Sequence, residues 1–217
     1  MSSALASFQE TARLLYAEAS PLVRFMQRGR PYICPMDLLV RQVPAGAQIF
    51  DIGCGSGLLS LHLVRTNHIR GSMGVDTSSD AIESARRAAA NLSDQLRGRT
   101  QFEVVNGTDD WPDSQFDAVM MIDMMHHVPV SIRRTLFLEA AQRVKRGGRL
   151  IYKDMRSQPV WRASMNRLHD LVMARQWITY CPSETVREWA GEAGLKLSLH
   201  QTYDALWYAH ELMSFDR

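Results

Sequence analysis

Gln48-Ile49-Phe50-Asp51-Ile52-Gly53-Cys54-Gly55-Ser56-Gly57 reads as an apolar strand running into a glycine-rich turn, and Leu58-Leu59-Ser60-Leu61 opens a helix behind it. Glycines at such a turn let the backbone approach a ligand closely, and the following helix N-terminus adds partial positive charge. The spacing of Gly53, Gly55 and Gly57 is GxGxG, one position short of the GxGxxG of dinucleotide sites. No Lys-Ser/Thr pair follows, which excludes a P-loop. Asp51, directly before the turn, is a poor neighbour for a pyrophosphate and a good one for an amino-bearing ligand. Asp76 ends the next strand, where acids accept hydrogen bonds from a ribose diol. An adenosine with a zwitterionic tail and no phosphate suits both acids, and a nicotinamide dinucleotide does not.

Outward from this turn, strands and helices alternate. Strands are expected at Ile49–Ile52, Gly71–Asp76, Phe102–Val105, Phe116–Ile122 and Arg149–Lys153. Helices are expected at Leu58–Thr66, Ser79–Leu96 and Val130–Val144, the last capped by Gly147-Gly148. FDAVMMI (116–122) is a continuous apolar run, as in a strand buried on both faces. This alternation implies a parallel sheet with helices on both sides.

The N-terminal 45 residues read as helices over Ser2–Ala19, Pro21 to about Gln27 and Met36–Val43, with Gly29-Arg30-Pro31 as a break. Past Lys153 the rhythm changes. Ser157–Trp177 has helical apolar spacing, and Pro182-Ser183 opens a helix to Ala193. Leu195–His200 and Leu206–Phe215 read as an antiparallel strand pair around Asp204-Ala205.

The chain of 217 residues fits one domain, and its formal charge of +2 demands no nucleic-acid partner. No apolar run approaches the ~18 residues of a membrane span, and the N-terminus lacks a secretory pattern, so the expected compartment is the cytoplasm. Cys34, Cys54 and Cys181 show neither CxxC nor zinc spacing, so reduced thiols and no metal are expected. Basic residues gather in Leu22–Arg41 and Met155–Arg175. They form either a solvated face or a site for an acidic acceptor.

DIGCGSG, GVD at the end of the second strand, FDAV in the fourth and RGGRL before the fifth resemble the class I S-adenosylmethionine-dependent methyltransferases, from about Ala45 to the C-terminus. The resemblance implies a Rossmann-like seven-stranded α/β sheet in order 3-2-1-4-5-7-6. It implies an N-terminal helical cap (1–45), a cofactor-binding core (46–154), a helical lid (155–181) and a closing helix with its strand pair (182–217), all in one domain. S-adenosylmethionine would face Asp51, Gly53, Cys54, Gly55, Gly57, Asp76, Thr77 and Asp123, and leave as S-adenosylhomocysteine. One departure stands out. Members often carry Gly-Asp after the third strand to meet the adenine, and here Asn106-Gly107-Thr108-Asp109 stands instead. Either Thr108 or Asp109 takes that role.

The Asn/Asp-Pro-Pro-aromatic motif of base- and protein-amine methylation is absent after strand four, where Asp123-Met124-Met125-His126-His127 stands. His126 and His127 are candidate bases, or else start the next helix structurally. Tyr32, Lys153, Trp161 and Met165 are candidate acceptor contacts. The expected activity is O- or C-methylation of a small aromatic or lipid-like acceptor, acidic or carrier-linked, in a monomer or homodimer. A non-catalytic module holding the cofactor, and a protein or RNA methyltransferase, are the rival readings.

Overall fold

The computed structural model describes residues 3–156, 179–205 and 208–217. Seven strands form one sheet in the order β3-β2-β1-β4-β5-β7-β6. They are β1 (Gln48–Ile52), β2 (Gly71–Asp76), β3 (Thr100–Val104), β4 (Phe116–Ile122), β5 (Val144–Met155), β6 (Lys196–Ala205) and β7 (Tyr208–Asp216). The first five pair in parallel, and β7 runs antiparallel to both β5 and β6. The order turns back between β1 and β4, so the carboxyl ends of these strands open a crevice there.

The helices among the described residues are α1 (Ser3–Leu15), α2 (Pro21–Ile33), α3 (Met36–Gln42), α4 (Leu58–Arg65), α5 (Ser79–Ala90), α6 (Asp94–Arg97), α7 (Val130–Gln142) and α8 (Ser183–Glu192). One core lies under α1, α3, α4 and α5, and the other under α7 and α8. Every residue of α4 from Leu58 to Val64 is buried, because α1 covers the face that the sheet does not. Each fully buried leucine there contributes roughly 1.5–3 kcal/mol. His62, on the same helix, stacks on Phe8 at 3.5 Å and hydrogen-bonds Thr11, tying the N-terminal helices to the core.

Four elements depart from the sequence pattern. α2 runs through Gly29-Arg30-Pro31 instead of breaking there. Pro31 forfeits one helical hydrogen bond, but the helix closes past it, the Cys34 N–H donating to the Arg30 carbonyl at 2.9 Å, and Gln9 of α1 braces it by donating to the Arg28 carbonyl at 2.7 Å. The helix expected over Ser79–Leu96 ends at Ala90, because the Asn91 side chain turns away to donate to the Leu15 carbonyl at 2.9 Å. Gly147-Gly148 does not cap α7, which stops at Gln142; the pair lies inside β5, where the register against β4 shifts. A Cβ on Gly148 would come within 2.9 Å of the Asp117 carbonyl oxygen. Asp204 and Ala205 are paired residues of β6, opposite Ala209 and Tyr208, rather than a turn.

The expected helical lid lies largely outside the described residues, but its flanks are held. Arg156 donates to the His210 carbonyl at 3.1 Å and to Asp204 at 3.0 Å. Buried Arg133 of α7 donates to the carbonyls of Val128 (2.8 Å), Thr179 (2.7 Å) and Tyr180 (3.3 Å).

Candidate cofactor and acceptor site

The glycine turn is fixed by its backbone. The N–H groups of Gly53 and Cys54 both donate to the Val75 carbonyl, at 2.8 and 3.1 Å, joining the end of β1 to β2. Gly57 caps α4 at φ 79°, and a Cβ there would lie 2.8 Å from the Phe102 ring. Gly53 has φ 71°, and its Cβ would lie 2.7 Å from that of Met124. Left-handed backbone and close neighbours together leave room for glycine alone at both positions. The Tyr16 hydroxyl of α1 donates to the Ser56 carbonyl at 2.5 Å and anchors the turn from outside.

Two carboxylates flank the turn. Asp76 accepts the Gly55 N–H at 2.8 Å on one oxygen and the Ser78 N–H at 2.9 Å on the other, which orients it and leaves further lone pairs for a ligand. Asp51 is 4% exposed and accepts the Ser60 hydroxyl at 2.6 Å. Burial pushes it up from 3.8 to about 6, against the lowering effects of that hydrogen bond and of Arg30. Cys54 is held as a neutral thiol by burial and by the nearby Asp51 and Asp76.

A cavity of about 580 Å³ opens on these groups. Asp51, Gly53, Cys54, Gly55 and Gly57 line it, as do Asp76, Thr77, Asp123 and His127. Gln27 and Arg30 of α2 form another wall. Thr108 and Asp109 lie in a short 3-10 turn outside the lining, and Asn106, Gly107 and Trp111 take that edge. The Asp110 carboxylate accepts the Asn106 N–H at 2.7 Å and shapes this loop. Trp111 also packs edge-on against Phe50, so it belongs to core and cavity alike.

The two histidines are separated by burial. His126 is 3% exposed, bonds the Asp154 carboxylate through Nδ1, and donates its backbone N–H to the same group at 3.1 Å. His127, its ring centroid 4.0 Å from that of His126, faces the cavity. Lys153 is fully buried and does not line the cavity; it pairs with Asp123 behind the wall. Tyr32 lies on the exposed side of α2, away from the cavity. Trp161 and Met165 fall outside the described residues.

Asp123, expected to face the cofactor, lines the cavity. It has φ 53°, costly for a non-glycine residue, and its carboxylate bridges Lys153 and, at 3.4 Å, Arg30. Burial alone would raise its pKa, but Lys153 and Arg30 outweigh that and hold it well below the ordinary carboxylate range. The arginine content of Leu22–Arg41 was the only sequence signal for Arg30. Among the described residues no group of three or more His, Cys, Asp or Glu side chains is arranged to hold a metal ion.

A family model described as a methyltransferase domain matches residues 26–200. The chain belongs to the class I S-adenosylmethionine-dependent methyltransferases. Residues 53–57 with Asp51 and Asp76 fit that cofactor: backbone approach at the turn, a buried acid near the cavity for an amino group, and an oriented acid for a diol. The chain is 30% identical over 101 residues to a mitochondrial ubiquinone biosynthesis O-methyltransferase of Candida albicans (46% of this chain, 30% of that one). It is 31% identical over 123 residues to a 27-O-demethylrifamycin SV methyltransferase of Amycolatopsis mediterranei (54% and 43%). It is 31% identical over 139 residues to a ribosomal protein L11 methyltransferase of Burkholderia cenocepacia (63% and 41%). The matches thus span less than half of these relatives. The fold is also that of a magnesium protoporphyrin IX methyltransferase from Synechocystis PCC 6803 with bound S-adenosylhomocysteine, at 17% identity and a TM-score of 0.69 over 96% of this chain and 93% of that one.

Proposed function

We propose that the chain methylates an oxygen or carbon of a small aromatic or lipid-like acceptor, with His127 as the base. The carrying observation is that the methyltransferase turn, Asp76 and His127 open on one cavity, whose far wall is apolar through Val128, Pro129, Ile132 and Leu136. The cofactor supplies a methyl group on a sulfonium, a leaving group that departs neutral. Asp51 and Asp76 hold the donor's ends, and His127 takes the acceptor's proton as the new bond forms. His126 positions this loop through Asp154 rather than meeting the acceptor. Two of the relatives above methylate oxygen by name, which supports this reading.

The L11 relative keeps protein methylation as the rival. No described helix is long and apolar enough to cross a membrane, and the proposed setting is the cytoplasm. Phenols, catechols and peptides incubated with S-adenosylmethionine and followed by mass spectrometry separate the readings. Methylated phenols support small-molecule transfer, methylated peptides the rival, and tight cofactor binding without turnover a non-catalytic module. His127→Gln should lower kcat by at least ~100-fold with little change in KM. A kcat within threefold of wild type removes His127 as the base.

A further inference from the structure

A second group of polar side chains lies enclosed behind Arg30 and Asp123, where β5, β7 and β6 meet the end of α2. In the strand register Tyr203 faces His210, and His210 faces Met155. Directly opposed residues share a face of the sheet, and Lys153, two positions before Met155, shares it too. The His210 ring stacks between Tyr203 at 4.9 Å and Tyr208 at 5.6 Å. It is 2% exposed. The Tyr203 hydroxyl and both ring nitrogens of His210 complete no hydrogen bond, although the Ile33 carbonyl lies near the ring.

Three unpartnered polar atoms in one buried patch call for a reason other than packing, because phenylalanine would stack as well without the cost. Burial, reinforced by Lys153, pushes His210 down to about 3, so its ring is neutral, with one N–H to donate. Beside it run Lys153, Asp123 and Arg30, two cations bridged by one anion. The Cys34 thiol at the end of α2 lies near them, its pKa raised first by burial and further by Asp123. Arg30 and Asp123 also line the main cavity, which puts that cavity next to this patch.

We propose that Tyr203 and His210, with the Lys153–Asp123–Arg30 row, form a subsite that takes the carboxylate of an aromatic acceptor. The Tyr203 O–H and the His210 N–H supply donors to its oxygens, and the two cations supply the field. Half-exposed Arg30 meets Asp123 at 3.4 Å on the side of the patch that borders the main cavity. The subsite rests on the small-molecule reading above and narrows its acceptor class.

The test is calorimetry on the protein saturated with S-adenosylhomocysteine, titrated with 4-hydroxybenzoate and with its neutral counterpart 4-hydroxybenzamide. The acid is expected to bind at least tenfold more tightly than the amide. His210→Phe keeps the stack and should weaken the acid at least tenfold. It should leave S-adenosylhomocysteine affinity within twofold and raise the melting temperature by removing unpartnered atoms. Tyr203→Phe serves the same purpose should His210→Phe fail to fold. Equal binding of acid and amide, or unchanged acid affinity in the folded variant, overturns the subsite. No binding of S-adenosylhomocysteine would instead overturn the function on which it rests.

Discussion

The two ends of one sheet edge are built differently. At the β1–β2 end, the proposed cofactor side, backbone sets the geometry: five consecutive residues, two carbonyl-anchored N–H groups and an acid held by two more. At the β5–β7–β6 end, side chains from positions 30, 34, 123, 153, 203 and 210 converge from distant parts of the chain. A site made by local backbone tolerates little substitution, because its shape rests on a few adjacent glycines. A site made by long-range side chains changes one residue at a time.

The largest expected effect tests the first end. Asp76→Ala removes charge-assisted hydrogen bonds to the ribose, each worth roughly 1.5–3 kcal/mol, so S-adenosylmethionine affinity by calorimetry should fall by about 100-fold or more. Unchanged affinity would remove the diol assignment. Gly57→Ala places a Cβ against Phe102 in left-handed backbone and should cost about 2–4 kcal/mol of stability, read by urea denaturation.

Asp51 sharpens the comparison through pH. Its folded pKa of about 6 exceeds its ordinary 3.8, so the folded state binds the proton more tightly. Its ionisation therefore favours unfolding: stability is lost as pH rises from about 4 to 6, by about 3 kcal/mol in all. Asp51→Asn should be more stable than wild type at pH 7.5, with the difference shrinking toward pH 4, while cofactor affinity drops. A pH-independent difference would mean that Asp51 is not held up by burial. The smallest effect is expected at Asp109→Ala, which should change cofactor affinity by less than about twofold, since Asp109 lies outside the cavity lining. A tenfold loss would place it at the adenine after all.

The strand order and the glycine turn were legible because each rests on spacing within a few residues. FDAVMMI reads as a central strand from its own apolarity, and it is one. The errors arose where distant partners overrule local pattern. Pro31 stays helical because Gln9 and Asp123 hold α2 in place, and Asn91 ends α5 to reach Leu15. Gly147-Gly148 looks like a helix cap in isolation, yet the C-terminal residue pairs there: Gly147 donates to the Arg217 carbonyl and Arg217 to that of Gly148. Likewise His126 and His127 are indistinguishable as letters. Only the placement of Asp154 on the next strand, 28 residues on, buries one and leaves the other on the cavity.

The arginine fastenings on either side of residues 157–178 bear on how such enzymes diversify. Arg156 and Arg133 grip main-chain carbonyls and one acid at the sheet edge. A connection closed at both ends lengthens at little entropic cost, about 0.6 kcal/mol per doubling. Grafting the corresponding segment of a relative between Arg156 and Thr179 offers a way to redirect the enzyme toward new compounds while its donor machinery is inherited intact.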